Sequence, residues 1–403
     1  MPSNRSVGSP MTPSVHLLGA GVVSRAIAKD HLNHGLAVRL LDIDAGGLLA
    51  CRDALAYCDA DAPVQKMEPT SSLHYFDAWP KVPLSGVSLP DYRLVIESVP
   101  EEIGLKQRAF EEIARYQTCD AIYTTNTSTL SVNKIAADLD IYRRLCGLHF
   151  FMPVINRPAV ELIVTQDVDQ DVVATLHQHA SMLGKDVIEV EDRPGFLVNR
   201  MLSPYLNEAL DMLCQGVPSD RIENAAMKYG MPMSPLELID TIGAKTMWQA
   251  GRVYWQAFPD RVNPNPLVPR MLKVKRLGRD WGSGIFDYES GVRSESVSDE
   301  MQRLVERYAV DSVPHTDDQV QARLAIPMFI EAELAMREEV VESFEEINIA
   351  MEGGLGYKSK PIWTDWFESR GSSWILSSCD EFGDVSPAMR LPDWLRDRLS
   401  RTA

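Results

Sequence analysis

A glycine turn between a short apolar strand and a helical segment constrains the fold of this chain more than any other feature. The apolar strand Val15–Leu18 runs directly into Gly19-Ala20-Gly21, and residues 22–28 continue with helical character. A Gly-x-Gly turn at such a junction lets the backbone approach a pyrophosphate, whose charge then lies at the helix N-terminus. The pattern predicts dinucleotide binding by Gly19 and Gly21; the alternative is a chance glycine turn.

A second predicted strand, residues 38–41, ends in an acid that supports this interpretation. Asp42 follows Gly19 by 23 positions (42 − 19), where a dinucleotide fold places the carboxylate that binds the adenosine ribose hydroxyls. Because a carboxylate repels a 2′-phosphate, NAD is favoured over NADP as the cofactor. Ser24 departs from the full fingerprint, which has a third glycine there for close helix packing.

Strands and helices continue to alternate downstream, which is typical of a parallel sheet. The pattern predicts, in chain order, helix 51–62, strand 94–99, helix 101–116, and strands 121–125, 145–150, 160–164 and 186–190. Residues 63–88 are rich in proline and polar residues and receive no assignment. Ligands of parallel sheets bind at the carboxyl ends of the strands. Asn126 and Ser128, which follow strand 121–125, are therefore candidate site residues, and the alternative for Ser128 is a helix N-cap.

One predicted strand carries a histidine, in the run Gly147-Leu148-His149-Phe150-Phe151-Met152-Pro153. An imidazole titrates near neutral pH and is costly to bury without a partner. The simplest alternative to a functional role is a core histidine that is bound to a backbone carbonyl. Glu161 lies on the next predicted strand.

Composition and charge exclude several classes of protein. Hydrophobic residues make up 45% and charged residues 24% of the 403 residues, which is typical of a globular protein with two or three domains. The net charge of −17 argues against nucleic acid or an anionic membrane as the main partner. The six cysteines form no CxxC pair and no metal-finger spacing, so we expect reduced thiols, no metal site and a cytoplasmic location. No apolar run is long enough to span a bilayer.

From residue 194 onward the chain is rich in helical patterns, and it repeats itself. Arg200, Pro204, Glu208 and Ala209 recur as Arg323, Pro327, Glu331 and Ala332, each 123 positions on (323 − 200). A fixed offset of this kind suggests a duplicated helical domain. The predicted organisation is a disordered lead over 1–13, a nucleotide-binding domain over 14–193, helical domains over 194–290 and 318–403, and a polar helical linker over 291–317.

These residues resemble the L-3-hydroxyacyl-CoA dehydrogenase family, and in particular the dehydrogenase part of the multifunctional fatty-acid oxidation enzyme. The most specific motifs are Asn126-Thr127-Ser128, the run 147–153, and Pro194-Gly195-Phe196-Leu197-Val198-Asn199-Arg200. The resemblance implies a Rossmann-like NAD-binding domain followed by two all-α domains of the 6-phosphogluconate-dehydrogenase C-terminal type. It also implies oxidation of (S)-3-hydroxyacyl-CoA to 3-oxoacyl-CoA, or the reverse reduction, by a monomeric pseudo-dimer or a homodimer.

The resemblance also implies roles for individual residues. His149 is expected to be the catalytic base, Glu161 its carboxylate partner, and Ser128 and Asn199 contacts to the substrate oxygens. The expected contacts to NAD are Gly19, Gly21, Asp42, Glu101, Lys106 and Asn126. A histidine suits the base because its pKa lies near working pH, and a carboxylate on the other ring nitrogen fixes the tautomer. The alternatives are a strand-edge salt bridge for Glu161, an intrahelical pair for Glu101 and Lys106, and a cap or inter-domain hydrogen bond for Asn199.

Three departures from the family leave other functions open. The family usually has asparagine at Met152 and glycine at Ser24, and residues 356–361 replace a segment with two prolines, so the second helical repeat is expected to be structural only. One alternative function is a biosynthetic dehydrogenase acting on an acyl group tethered to a carrier protein. Another is a non-catalytic relative that binds NAD.

Overall fold

The computed structural model of the chain describes residues 14–55, 63–79, 92–309 and 314–403. These residues divide into two units, Met1–Asp192 and Arg193–Ala403, each with its own core. The predicted disordered lead over 1–13 lies outside the described residues.

A mixed, largely parallel sheet forms the centre of the first unit. The strands of this sheet are β1 (Val15–Leu18), β2 (Val38–Asp42), β3 (Gln65–Lys66), β4 (His74–Ala78), β5 (Leu94–Glu97), β6 (Ile122–Thr125), β7 (Leu145–Phe150), β8 (Ala159–Val164) and β9 (Asp186–Glu191). Their order is β3-β4-β2-β1-β5-β6-β7-β8-β9. Pairs β2–β4, β3–β4 and β7–β8 are antiparallel and the others are parallel. The predicted Rossmann-like fold is confirmed.

Helices cover the sheet because one side of each is apolar. They are α1 (Val22–Asn33), α2 (Ala45–Leu55), α3 (Ile103–Ala114), α4 (Val132–Ala136) and α5 (Gln170–Met182). Ile27, Leu48 and Leu176 from α1, α2 and α5 are fully buried in one hydrophobic cluster with the strands. The polar loops that follow the parallel strands therefore lie together at the carboxyl ends of those strands.

The helix predicted over 51–62 begins earlier than its pattern indicated, which corrects its start. It starts at Ala45, and residues 56–62 lie outside the described residues. Gly46 and Gly47 have low helix propensity and hide the first turn from a pattern-based prediction. The side chain of Asp44 accepts a hydrogen bond from the amide of Gly46 at 2.9 Å, which stabilises this early start.

Two histidines that the sequence left unassigned join α1 to α5. His31 and His179 are both fully buried, and their Nε2 atoms lie 3.0 Å apart. His31 Nδ1 lies 2.8 Å from the Ile27 carbonyl, which can only accept, so His31 Nε2 accepts the proton of His179. Burial lowers the pKa of His31 to about 4 and that of His179 well below its usual value. Both rings are therefore neutral at neutral pH.

The second unit is helical, as predicted, with one very short hairpin. Its elements are α6 (Val198–Cys214), α7 (Ser219–Tyr229), α8 (Pro235–Ile242), α9 (Ala244–Ala257), α10 (Leu267–Lys273), β10 (Tyr288–Glu289), β11 (Val292–Arg293), α11 (Asp299–Arg307), α12 (Asp317–Arg337), α13 (Phe344–Ile349), a π-helical turn Ala350–Leu355, α14 (Trp363–Arg370), α15 (Ser372–Phe382) and α16 (Asp393–Ser400). Met301 and Val305 of α11 are buried, so this helix of the segment predicted as a linker is packed. No helix in the described part of the chain is long and apolar enough to cross a membrane.

The sequence repeat places equivalent residues on α6 and α12, where they exchange partners. Arg200 of α6 donates from Nε to Glu331 of α12 at 2.8 Å, and Arg323 of α12 donates from Nε to Glu208 of α6 at 2.8 Å. All four side chains are at most 4% exposed. Each arginine thus pairs with the glutamate of the other copy, which is the relation that a two-fold axis produces.

Candidate functional site

His149 and Glu161 form a buried pair across two antiparallel strands. They are directly opposite in the register of β7 and β8, which puts both side chains on one face of the sheet. His149 Nδ1 lies 2.7 Å from Glu161 Oε2, with His149 7% and Glu161 0% exposed. A carboxylate can only accept, so Nδ1 carries the proton and the lone pair lies on Nε2. The pair therefore has the arrangement that a histidine base requires.

Burial distinguishes this pair from the other histidine–carboxylate contacts in the described residues. His177 Nε2 lies 2.7 Å from Glu189, but both side chains are over 40% exposed. His34 Nδ1 lies 3.7 Å from Asp30. An exposed pair is screened by water, so it holds its ring less firmly than a buried one.

The loop that follows β6 lies beside the end of β7. Asn126 accepts a hydrogen bond through Oδ1 from the amide of Phe150, the residue after His149, at 2.8 Å. Ser128 lies two residues further along this loop and is half-buried. Since β6 and β7 are parallel neighbours, Asn126, Ser128 and His149 meet at the same edge of the sheet. The structure thus brings Asn126, Ser128 and His149 together at this edge.

Glu101 holds this loop through one carboxylate oxygen. Its Oε1 accepts from the hydroxyl of Thr127 at 2.6 Å, the amide of Ser128 at 3.1 Å, and the amide and hydroxyl of Thr129 at 3.0 and 2.9 Å. Burial opposes ionisation of Glu101, but the Lys106 ammonium and these hydrogen bonds outweigh it and lower its pKa. Helix α3 begins at Ile103, so Glu101 precedes the helix in which the sequence pattern placed it.

Lys106 is buried between two acids rather than placed on a helix surface. It is 1% exposed, and its Nζ lies 2.8 Å from Glu97 Oε1, 3.1 Å from the carbonyl of Val99 and 3.3 Å from Glu101 Oε2. Sequence reasoning missed Glu97. The available signal was an acid at the end of an apolar strand, the same signal that singled out Asp42.

The glycine turn has the geometry that a dinucleotide needs. Gly19 has φ of +104°, and a Cβ there would lie 3.0 Å from the carbonyl oxygen of Ser98, so only glycine fits without strain. Gly21 is the N-cap of α1, and a Cβ on it would meet no atom within 4 Å. Asp42 accepts from the amide of Ala20 at 2.7 Å and so pins the turn to the end of β2. The first turn of α1 contains no acid. These residues fit a pyrophosphate at the N-terminus of α1.

Two other residues named from the sequence, Ser24 and Asn199, lie in the first turns of helices. Ser24 is 1% exposed in the first turn of α1, and its buried hydroxyl makes no hydrogen bond within the described residues. Asn199 belongs to the second unit, in the first turn of α6, where its carbonyl accepts a hydrogen bond from Ser203 at 2.7 Å. The described residues contain no group of three or more His, Cys, Asp or Glu side chains that could hold a metal ion.

A Rossmann-like sheet with a glycine turn after the first strand and an acid at the end of the second strand defines the class of dinucleotide-binding proteins that favour NAD. The family model for the NAD binding domain of 3-hydroxyacyl-CoA dehydrogenase matches residues 14–193, and the model for the C-terminal domain matches residues 195–288. The chain therefore belongs to the 3-hydroxyacyl-CoA dehydrogenase family. The family and the cofactor expected from the sequence are confirmed.

Individual relatives support this assignment. The fatty acid oxidation complex subunit alpha of Acinetobacter baumannii is 29% identical over 392 residues, which cover 94% of this chain and 54% of that protein. The chain thus spans about half the length of the curated relatives it matches. The solved structure of Escherichia coli 3-hydroxybutyryl-CoA dehydrogenase has the same fold, with a TM-score of 0.72, 24% identity, and coverage of 97% of this chain and 99% of that chain. (S)-3-hydroxybutyryl-CoA dehydrogenase from Ralstonia eutropha is 27% identical with a TM-score of 0.57, over 69% of this chain and all of its own.

We expect Gly21→Ala to weaken NADH binding at least tenfold while leaving the folded state as stable as the wild type. The added methyl meets no protein atom and the backbone conformation suits any residue, so only a ligand close to the turn would feel it. NADH fluorescence titration and thermal unfolding measure the two quantities. Gly19→Ala is the matched comparison, since it should lower both stability and affinity. Unchanged NADH affinity in Gly21→Ala would contradict binding at this turn.

Proposed function

We propose that the protein oxidises the C3 hydroxyl of (S)-3-hydroxyacyl-CoA thioesters to the 3-oxo group, or catalyses the reverse reduction, with His149 as the base. The observation that carries the proposal is the buried 2.7 Å hydrogen bond between His149 Nδ1 and Glu161, beside the Asn126–Ser128 loop. NAD, when bound, supplies the hydride acceptor.

In this proposal His149 accepts one proton and Glu161 stabilises the positive charge that results. The lone pair on His149 Nε2 takes the proton of the substrate hydroxyl as hydride leaves C3. Glu161 then stabilises the imidazolium through the bond to Nδ1 and keeps the ring in one tautomer throughout. Because Glu161 is fully buried, this electrostatic contribution is little screened by water.

Other residues of the proposal bind and orient. Gly19 and Gly21 allow the backbone to approach the pyrophosphate, and Asp42 keeps lone pairs for the ribose hydroxyls beside its bonds to two backbone amides. Ser128 and Asn199 are proposed contacts to the substrate oxygens, which they orient and polarise. Asn126, Glu101 and Lys106 stay predicted NAD contacts, although their described hydrogen bonds shape the loop around Ser128.

A thioester panel tests the function and separates it from its alternatives. The expected result is oxidation of NADH with acetoacetyl-CoA, with a rate that depends on acyl chain length across longer 3-oxoacyl-CoA substrates. Higher kcat/KM with carrier-protein thioesters would favour the biosynthetic alternative, which the 45% exposed Met152 in the loop after His149 leaves open. Tight NADH binding without turnover of any thioester would indicate a non-catalytic relative.

Monomeric or dimeric assembly and a cytoplasmic location stay predictions, and sedimentation velocity tests the assembly.

A further inference from the structure

Glu97 is a buried acid at the centre of the hydrogen bonds that shape the Ser128 loop. It ends β5 and is fully buried. Its Oε1 accepts from the amide of Val99 at 2.6 Å and from Lys106 Nζ at 2.8 Å, and its Oε2 accepts from the hydroxyl of Thr125 at 2.7 Å. Burial raises the pKa of the Glu97 carboxyl, while the Lys106 ammonium opposes this and favours the ionised form.

The ammonium of Lys106 lies between two carboxylates that are used differently. Glu97 is the nearer and more buried partner, at 2.8 Å and 0% exposed, whereas Glu101 lies 3.3 Å away and is 25% exposed. The pairing with Glu97 leaves Oε1 of Glu101 to accept the donors of residues 127–129. The buried ammonium of Lys106 is thus shared between Glu97 and Glu101, and Glu101 can accept hydrogen bonds from the loop.

Removing the charge of Glu97 would change how Lys106 is shared between the two carboxylates. Lys106 would remain buried with Glu101 as its only carboxylate within 4 Å among the described residues. A buried ammonium without adequate counter-charge is strongly unfavourable, and hydrogen bonds between charged groups are stronger than those from neutral amides. Lys106 would therefore draw Glu101 away from the amides of Ser128 and Thr129, and the loop would lose its fixed geometry.

We propose that Glu97 is a positioning residue for the dehydrogenase reaction: it holds Lys106 so that Glu101 keeps Ser128 and Asn126 in place beside His149. The proposal rests on the function proposed above for its kinetic consequence. Its structural consequence, order in the loop over residues 126–130, can be measured without any substrate.

The test compares Glu97→Gln with the double variant Glu97→Gln/Lys106→Met. The single variant should lower kcat/KM for acetoacetyl-CoA on the order of tenfold to hundredfold, because a small misplacement of an orienting group has effects of that size. Hydrogen exchange of the amides of Ser128 and Thr129 should become faster. The double variant removes the unpaired ammonium, so it should regain most of the loop protection.

Controls and contrary outcomes are well defined. Asp77→Asn on β4 breaks the ion pair with Arg39 of β2, at 2.7 Å, and should change neither the loop exchange nor kcat/KM. A double variant whose loop exchange is as fast as that of Glu97→Gln, or unchanged loop exchange in Glu97→Gln, would overturn the proposal. If Glu97→Gln does not fold, the double variant decides, because it must fold with wild-type loop protection. An inactive wild-type protein would refute the proposed function and leave the exchange test of Glu97 intact.

Discussion

His149→Ala is expected to lower kcat for acetoacetyl-CoA reduction by about 10²–10⁴, the usual contribution of a positioned general acid or base. Binding of NADH should stay close to that of the wild type, because the glycine turn and Asp42 are built from β1, α1 and β2, whereas His149 lies on β7. Steady-state kinetics and NADH fluorescence titration measure the two effects. Loss of turnover with retained cofactor affinity would place His149 in the chemical step.

Two further variants serve as comparisons for His149→Ala. His177→Ala removes the exposed histidine that lies 2.7 Å from Glu189, and it should leave kcat unchanged. Glu161→Gln keeps an oxygen that can accept from His149 Nδ1 but removes the charge that stabilises the imidazolium, so its kcat should fall between the wild type and His149→Ala. Wild-type turnover in His149→Ala would refute the assignment of the base.

Glu208→Gln is expected to destabilise the second unit by about 3–5 kcal/mol, the cost of leaving a buried charge without its partner. Arg323 is 1% exposed and contacts Glu208 through both Nε and Nη2, at 2.8 and 2.7 Å. Neutralising the acid leaves this buried guanidinium without a carboxylate within 4 Å among the described residues. Urea unfolding followed by tryptophan fluorescence measures the free energy of unfolding.

The matched variant removes both charges. Glu208→Leu/Arg323→Met should be closer to the wild type than Glu208→Gln, because no unpaired charge stays buried. Asp380→Asn breaks an exposed ion pair with Arg396 and should change the free energy of unfolding by less than about 1 kcal/mol. Equal losses in the single and double variants would show that packing around these side chains, and not charge pairing, stabilises the two helices.

The sequence predicted the fold where local patterns are strong. The strands over residues 15–18 and 145–150 have the predicted bounds, because continuous apolar runs between polar loops are specific signals. Strand β4 lies in the stretch that received no assignment. It buries only Phe76 and Ala78 among polar neighbours, so its pattern is too short to stand out.

The candidate site depends on strand pairing and on long-range hydrogen bonds, which local sequence patterns do not predict. The strand rhythm indicated a parallel sheet, yet the antiparallel pairing of β7 with β8 is what sets Glu161 opposite His149. The short connection between these strands was an available signal, since parallel neighbours need a crossover of a dozen or more residues. The bonds from Glu101 to residues 127–129 span more than 25 positions, and no local pattern reports contacts of that range.

The exchange of partners between α6 and α12 bears on how the duplicated half of the chain can evolve. Each copy supplies the counter-charge for a buried arginine of the other copy. A change of charge in one copy therefore leaves a buried charge in the other copy without its partner. Deletion of either copy would therefore leave a buried arginine and a buried glutamate of the other copy without their partners.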